Sequence, residues 1–349
     1  MSVRGDEGLF LRCLKKLDER VNVKALLRVW GPRCEFMVRL ILVATFFDDS
    51  YRAATHFTDH VRQVGEEGYL RPLAASSPHV ISTIATVALG IGLLAQSVGS
   101  LCLLALIRPD GAIIALIGWT IAQPVLYAQL ANFELVAESL SLVGGLLILR
   151  AHLAEQAKHA PEATSMARTQ FVGRLLLPTV YLYRAGLILR GNFADAQHRT
   201  DHSASMFVID TAVFAGLVLG CAPVAAGLRS RAVALVLAIV NIGLVCYQHP
   251  FFRFAWREGG EWKYDEAKMR KSMPHVALPK EVSAGDFESW LIFDLHRYYF
   301  FQGLSTSGAL LLLAQYGPGE LAVEEDEVLL GDVQRARDYR QVPNSCESV

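Results

Sequence analysis

The chain has 349 residues, of which 52% are hydrophobic and 19% are charged, and its formal net charge at pH 7 is −1. The charged fraction lies below the quarter that is usual for soluble domains, so the composition is typical of a polytopic membrane protein. A near-neutral chain without an arginine-rich stripe or zinc-like Cys/His spacing excludes nucleic acid as a partner. The six cysteines are scattered and form no C-x-x-C pair, so we expect neither a disulfide framework nor a metal site.

The N-terminal segment, residues 1–35, mixes charges of both signs and lacks the apolar core of a signal peptide. Its apolar residues recur at helical spacing, which predicts an amphipathic helix on the cytosolic membrane surface.

Eight apolar stretches follow, each near the length of about 20 residues that a membrane-spanning helix needs. The predicted spans are 36–56, 79–107, 112–131, 134–153, 170–190, 206–228, 231–250 and 295–316. Pro124 and Pro178 fall inside spans, where proline kinks a helix. The sequence therefore predicts an all-α, polytopic membrane protein.

The connections between the spans differ in charge. "RPDG" (108–111), "LRSR" (228–231) and the 150–170 connection are basic, which places them in the cytosol with both chain termini. The segment 251–294 has seven Lys/Arg, but long translocated segments escape this rule. Its mixture of aromatic and charged residues fits either a lumenal amphipathic helix or cap, or a partly disordered insertion.

The chain also contains an internal repeat. "FMVRLILVATFF" (36–47) is similar to "FVGRLLLPTVYL" (171–182), and "SLVGGLLILRA" (141–151) is similar to "STSGALLLLAQ" (305–315). Each half would then hold four helices, and an even number makes the repeat parallel. The predicted divisions are two four-helix bundles, 36–153 and 170–316, joined by a cytosolic linker, 154–169, and followed by a cytosolic tail, 317–349.

Several motifs occur in an order that resembles the surfeit locus protein four family. In the first span, Arg39-Leu40 precedes "TFFDD" (45–49) and Arg52, and Gly173-Arg174 opens the second half. The last span reads "FDLHRYYFFQGLSTSGALLLLAQYGPG" (293–319), which is similar to the family's closing segment. Each half also resembles a DoxX-like four-helix bundle. Two features depart from the family: no lysine follows Lys280, so a C-terminal dilysine signal is absent, and 251–294 is longer than expected.

The resemblance implies a receptor that cycles between the endoplasmic reticulum, the ER–Golgi intermediate compartment and the Golgi. Such a receptor binds short lumenal segments of soluble secretory cargo and loads the cargo into COPII vesicles. Its implied partners are secretory proteins, the COPII coat, the COPI coat and membrane lipids, with a homo-oligomer left open. It implies neither an enzymatic activity nor a cofactor, and the sequence contains no nucleophile–base set of its own. The alternatives are a transporter or lipid-handling protein with a polar vestibule between the repeats, or, by analogy with DoxX-like bundles, a redox-linked enzyme.

The first candidate site is Asp48, Asp49 and Arg52, which lie about 14 Å or more beyond Arg39 along a helix. Asp48 and Arg52 have the i,i+4 spacing of an ion pair. Charged residues at this depth are expected to face the helix bundle or a water-filled cavity. We therefore expect either a lumenal vestibule, in which the second carboxylate attracts a cationic cargo group such as an α-amine, or an ion pair that only holds helices in register.

Two further groups are expected near the same face. Glu134 and Glu138 open the fourth span without basic neighbours, and they either compensate the helix dipole or form an acidic rim. Asp294, Arg297, Tyr298 and Gln302 enter the last span. They either form a paired cargo site or belong to the start of a helix whose aromatic residues make an interfacial belt, namely Tyr298, Tyr299, Phe300 and Phe301. The predicted cargo-binding set is Asp48, Asp49, Arg52, Glu134, Glu138, Asp294, Tyr298 and Gln302.

Two groups of residues are predicted at the cytosolic side. Arg39 and Arg174 are expected to reach the headgroups. In the tail, Glu324 and Asp326 resemble an acidic export signal, Tyr339 and Val342 a tyrosine-based signal, and Val349 a terminal-valine signal, whereas a plain solvated tail is the alternative.

Overall fold

The computed structural model of the protein is almost entirely helical. It describes residues 12–13, 16, 23–66, 68–69, 78–156, 163–197, 204–258, 261–265, 267–268, 289–319 and 321–323. The helices are α1 (Val23–Thr55), α2 (Phe57–Glu66), α3 (Pro78–Ala105), α4 (Pro109–Leu126), α5 (Phe133–Gln156), α6 (Ala163–Leu176), α7 (Thr179–Gln197), α8 (Ala204–Ala226), α9 (Ser230–Gln248) and α10 (Ser289–Tyr316). The predicted all-α fold is confirmed.

Four helical segments in the described part of the chain are long and apolar enough to cross a membrane. They are His79–Ala105, Pro109–Leu126, Met166–Leu189 and Ser230–Arg253. The predicted count of eight spans is therefore not confirmed and stays a prediction. The predicted spans 36–56 and 134–153 lie in α1 and α5, where charged residues among the apolar ones lower the hydropathy.

Pro178 interrupts the predicted span 170–190 and divides it into α6 and α7. Leu177 still donates its backbone N–H to the Gly173 carbonyl, at 2.9 Å, and Leu182 donates to the Pro178 carbonyl, at 3.0 Å. The chain is therefore helical on both sides of a proline that has no N–H to donate. Pro124, by contrast, lies in the last turn of α4 without ending it.

The turns that join α3 to α4 and α8 to α9 are alike, which agrees with the predicted repeat. Arg108 and Arg229 precede the second helix of each pair and have left-handed backbones, with φ of 44° and 45°. The Ile107 N–H donates to the Cys102 carbonyl at 2.9 Å, and the Leu228 N–H donates to the Pro223 carbonyl at the same distance. Donor and acceptor of the second bond each lie 121 positions after those of the first.

The two halves interlock through their first and last helices. α10 packs along α1, and α5 packs along α6, so the last helix of each half lies against the first helix of the other. A Cβ atom on Gly308 would lie 2.6 Å from the Leu42 nitrogen, and one on Gly144 would lie 2.7 Å from the Leu177 nitrogen. Glycine at these equivalent positions permits close backbone approach, as in other membrane helix pairs.

The two equivalent arginines, Arg39 and Arg174, are buried in the protein, with 6% and 0% of their surface exposed. Arg39 donates to the Glu35 carboxylate at 3.0 Å, and Arg174 donates to the Leu321 carbonyl. The prediction that both reach out to headgroups is therefore wrong, because both side chains are buried and each donates to an acceptor within the chain.

The segment after α9 forms a 3₁₀ turn, Phe251–Arg253, and an antiparallel hairpin of β1 (Ala255–Glu258) and β2 (Glu261–Tyr264). The predicted lumenal amphipathic helix is thus wrong for this part of 251–294, while residues 269–288 lie outside the described range. Phe251 packs its ring against Phe300 and Phe301 of α10, with centroids 5.1 and 5.9 Å apart. These contacts place the hairpin beside the N-terminal half of α10.

Candidate functional site

Five charged side chains meet where the C-terminal end of α1 contacts the N-terminal part of α10. We call them the ionic cluster: Asp48, Asp49, Arg52, Asp294 and Arg297. The two helices are held in this register by a buried polar contact one to two turns further along, in which Thr45 donates to Gln302 at 2.8 Å. The Thr45 backbone N–H also donates to Ser305, at 3.0 Å.

Asp48 pairs with Arg297, and not with Arg52 as the i,i+4 spacing suggested. The Arg297 Nε atom donates to Asp48 Oδ1 at 2.6 Å, and both side chains are at least 86% buried. The predicted Asp48–Arg52 pair is wrong because the partner comes from α10, which lies 249 residues away in the sequence.

Arg52 instead lies between two other carboxylates. Its guanidinium is 3.6 Å from Asp49 and 3.3 Å from Asp294, and it lies over the Tyr298 ring, 5.4 Å from the centroid. Asp49 also accepts a long hydrogen bond of 3.4 Å from Gln123 of α4. Asp48 and Asp49 therefore each have a guanidinium neighbour. The prediction that one of these two carboxylates has no cationic neighbour is wrong.

A cavity of about 270 Å³ lies beside this cluster. Four predicted residues line it: Asp49, Arg52, Asp294 and Tyr298. The rest of the wall is formed by residues of α1 to α4 and the segments that adjoin these helices: Ala53, His56, Asp59, His60, Gln63, Leu89, Leu93, Gln96, Trp119, Gln123, Tyr127 and Gln129. The cavity thus belongs mainly to the first half and is completed by α10.

The short helix α2 covers one side of the cavity. Its Val61 and Val64 pack on apolar residues of α3 and α4, while His60 turns toward the cavity. The Tyr127 hydroxyl lies 3.0 Å from His60 Nδ1 and donates to it when that nitrogen carries no proton. Burial lowers the pKa of His60 below its ordinary value of 6.5, which favours that neutral form.

Glu134 and Glu138 do not line this cavity, so the predicted acidic rim is wrong for it. Glu138 is buried, and its carboxylate lies 3.6 Å from the guanidinium of Arg184 in α7. The sequence alone did not predict this basic neighbour. Glu134 lies in the first turn of α5, where the helix dipole stabilises a negative charge. The repeat offers a signal for Arg184, since extending the alignment of 36–47 with 171–182 by two residues places it opposite Asp49.

Gln302 and Tyr299 of α10 also differ from the prediction. Gln302 is buried in the contact with Thr45, so it joins helices and does not face the cavity. Tyr299 is buried as well, and its ring stacks near that of His249, with centroids 5.4 Å apart. His249 in turn approaches His296, at 3.3 Å between their Nδ1 atoms. Tyr299 thus packs against protein and departs from the predicted interfacial belt, which stays a prediction for Tyr298, Phe300 and Phe301.

The chemistry available at this site is recognition by charge and shape. In the described ranges, no group of three or more His, Cys, Asp or Glu could hold a metal ion. The walls offer carboxylates, a guanidinium, amides and the aromatic residues Trp119, Tyr127 and Tyr298. The predicted sorting residues Glu324, Asp326, Tyr339, Val342 and Val349 lie outside the described residues.

Comparison with known proteins places these features in a family. A family model described as "SURF4 family" matches residues 22–258. A Surfeit locus protein 4 homolog of Schizosaccharomyces pombe is 23% identical over 302 residues, covering 84% of this chain and 82% of that protein. The Drosophila melanogaster protein of the same name is 25% identical over 293 residues, covering 83% and 88%. No solved structure matches the chain. The match to the family model covers well over half of the chain, which therefore belongs to the SURF4 family.

Proposed function

We propose that this protein is a cargo receptor of the early secretory pathway. It binds short segments of soluble secretory proteins on the lumenal side and loads those proteins into COPII vesicles. It cycles between the endoplasmic reticulum, the intermediate compartment and the Golgi, with both termini in the cytosol. It acts by binding and carries out no reaction.

The observation that carries this proposal is the cavity of about 270 Å³, lined by charged, amide and aromatic side chains among apolar helices, in a member of the SURF4 family. Charged residues inside membrane proteins are costly and are usually retained for function. The cavity is close to the lower end of the usual range for small-ligand pockets, so it accommodates one or two residues of an extended segment and not a folded surface.

The test combines crosslinking with secretion. A photo-crosslinking amino acid at Gln129, in the cavity wall, should capture secretory proteins from living cells. The same group at Ile91, 63% exposed on α3, is the matched control and should capture only background. In cells that lack the endogenous protein, Asp49→Ala should delay release of the captured proteins, whereas Asp110→Ala, in an exposed pair with Arg150, should restore it. Absence of secretory proteins among the products, together with normal secretion in Asp49→Ala cells, would defeat the proposal.

A second candidate is a transporter or lipid-handling protein that uses the same cavity. The ionic cluster favours it, because buried charges between helices also occur along transport pathways. The purified protein in liposomes decides between the two: solute flux or lipid scrambling without cargo, lost in Asp49→Ala, supports the transporter. Capture of secretory proteins without such flux supports the receptor.

A further inference from the structure

The ionic cluster holds more carboxylates than guanidinium groups. Among the described residues it contains three carboxylates, Asp48, Asp49 and Asp294, and two guanidinium groups, Arg52 and Arg297, which leaves one formal negative charge. Asp48 Oδ2 is buried and has no hydrogen-bond partner among these residues. The cluster is therefore short of one positive charge.

The unbalanced charge lies toward the cavity. The tightest pair is Asp48 with Arg297, at 2.6 Å, and Asp48 does not line the cavity. Asp49 and Asp294 line it and share Arg52 at the longer distances of 3.6 and 3.3 Å. The second partner of Asp294, Arg297, is 3.6 Å away and already bound to Asp48. Two carboxylates of the ionic cluster thus face the cavity with one guanidinium between them.

Three further titratable side chains line the cavity, and none supplies the missing charge: His56, Asp59 and His60. The His56 Nδ1 atom lies 3.8 Å from Asp59 Oδ2, so a charge on His56 is balanced by that carboxylate and not by the ionic cluster. Burial lowers the pKa of His60, so this side chain adds no charge at neutral pH. Asp59 is negative, and its carboxylate lies 3.3 Å from Arg62, an exposed pair outside the ionic cluster. An excess charge in a poorly solvated site is unfavourable until a partner of opposite sign arrives.

The aromatic part of the wall suits a cation. Tyr298 already accepts the Arg52 guanidinium over its ring face, at 5.4 Å, and Trp119 and Tyr127 line the same cavity. Rings of this kind attract ammonium and guanidinium groups, most strongly where water is excluded. Leu89 and Leu93 add an apolar surface beside them.

We propose that this cavity binds a single positively charged group, a primary ammonium or a guanidinium carried on an apolar body, with Asp49 and Asp294 as its counter-charges. The inference deepens the proposed function by naming the ligand chemistry, and only the natural source of the group depends on that function. The source is either the terminal amine or side chain of a peptide, or the headgroup of a lipid.

The probe pair is benzylammonium chloride and benzyl alcohol, which have nearly the same shape and differ in charge. Binding to the full-length protein in maltoside detergent is measured by calorimetry and by the fluorescence of Trp119, with Trp119→Phe to assign the signal. Benzylammonium should bind at least about tenfold more tightly than the alcohol, and Asp49→Asn and Asp294→Asn should each remove that preference. Equal affinity for the two probes in the wild-type protein overturns the proposal, even where a variant fails to fold.

Substitutions at Arg52 distinguish an effect of charge on binding from an effect of structure. Arg52→Gln leaves two negative charges in excess, so benzylammonium should bind more tightly, whereas a purely structural role predicts weaker binding. Arg52→Lys keeps the charge and should bind as the wild type does. Asp110→Asn, far from the cavity in an exposed pair, is the matched control and should change nothing. Weaker binding in Arg52→Gln, in a protein whose melting temperature is unchanged, also overturns the proposal.

Two further titrations identify the source of the cation. Weaker apparent binding of benzylammonium in nanodiscs that contain phosphatidylethanolamine than in nanodiscs of phosphatidylcholine alone, whose headgroup is a quaternary ammonium, indicates competition by a primary ammonium of the lipid. Competition by peptides with a free N-terminus, lost on acetylation, indicates a peptide amine. The outcomes also separate the two proposals: charge-selective binding without captured cargo refutes only the receptor, and cargo capture without charge selectivity refutes only the ligand chemistry.

Discussion

Removing the Arg297 guanidinium should destabilise the protein strongly, because it leaves Asp48 without its partner. The Arg297 Nε to Asp48 Oδ1 distance is 2.6 Å, and the exposed fractions of the two side chains are 14% and 6%. Loss of one member of a buried pair leaves an uncompensated charge, which typically costs about 3–5 kcal/mol. In the ionic cluster the change leaves three carboxylates with one guanidinium, so we expect Arg297→Gln to reach that range.

The assay is equilibrium unfolding in mixed micelles, followed by tryptophan fluorescence. The matched control is Arg62→Gln, because the Arg62 to Asp59 pair lies at 3.3 Å with more than half of each side chain exposed, and such pairs contribute about 0–1 kcal/mol. The double variant Asp48→Asn with Arg297→Gln replaces the ions by two amides of similar shape and should recover most of the loss. If Arg297→Gln and Arg62→Gln lower the free energy of unfolding equally, or the double variant lowers it as much as Arg297→Gln alone, the Asp48–Arg297 pair does not hold α1 to α10.

Three further predictions concern packing, charge and pH. Gly308→Ala should lower the free energy of unfolding by about 1–3 kcal/mol, because the added methyl meets the α1 backbone. Arg184→Gln should destabilise by less than Arg297→Gln, since its distance to Glu138 is 3.6 Å and it is more exposed. A spin label at Arg62 should become more mobile as the pH falls below about 6.5, because protonation removes the acceptor that His60 offers to Tyr127.

Controls for the packing and pH predictions follow from the structure. Gly90→Ala, where no described atom beyond its own helix backbone lies within 4 Å of the added carbon, should not lower stability, and a loss equal to that of Gly308→Ala would contradict the packing argument. For the pH response, the folded pKa of His60 lies below its unfolded value, so docking of α2 is most stable above 6.5 and weakens below it. His60→Gln still offers an acceptor but does not titrate, and a persisting pH response in that variant would place the switch elsewhere.

The features that the sequence predicted well are those that local pattern controls. Apolar composition and helical spacing predicted the all-α membrane fold, and the aligned stretches around Arg39 and Arg174 predicted the repeat. The turns at Arg108 and Arg229 have matching left-handed backbones, which agrees with this repeat, although the division into two four-helix bundles stays a prediction. Asp49, Arg52, Asp294 and Tyr298 were also predicted as site residues, because charges in apolar helices attract notice wherever they occur.

Partners across the fold were decided only by the tertiary structure. Helical spacing predicted that Asp48 pairs with Arg52, but the packing of α10 on α1 brings Arg297 closer to Asp48. Arg52 pairs instead with Asp49 and Asp294. Glu138 likewise pairs with Arg184 from another helix, and Gln302 accepts a buried hydrogen bond from Thr45. Sequence periodicity specifies which face of a helix is polar, yet it does not specify which helix covers that face. In this protein that choice sets the charge balance at the cavity wall.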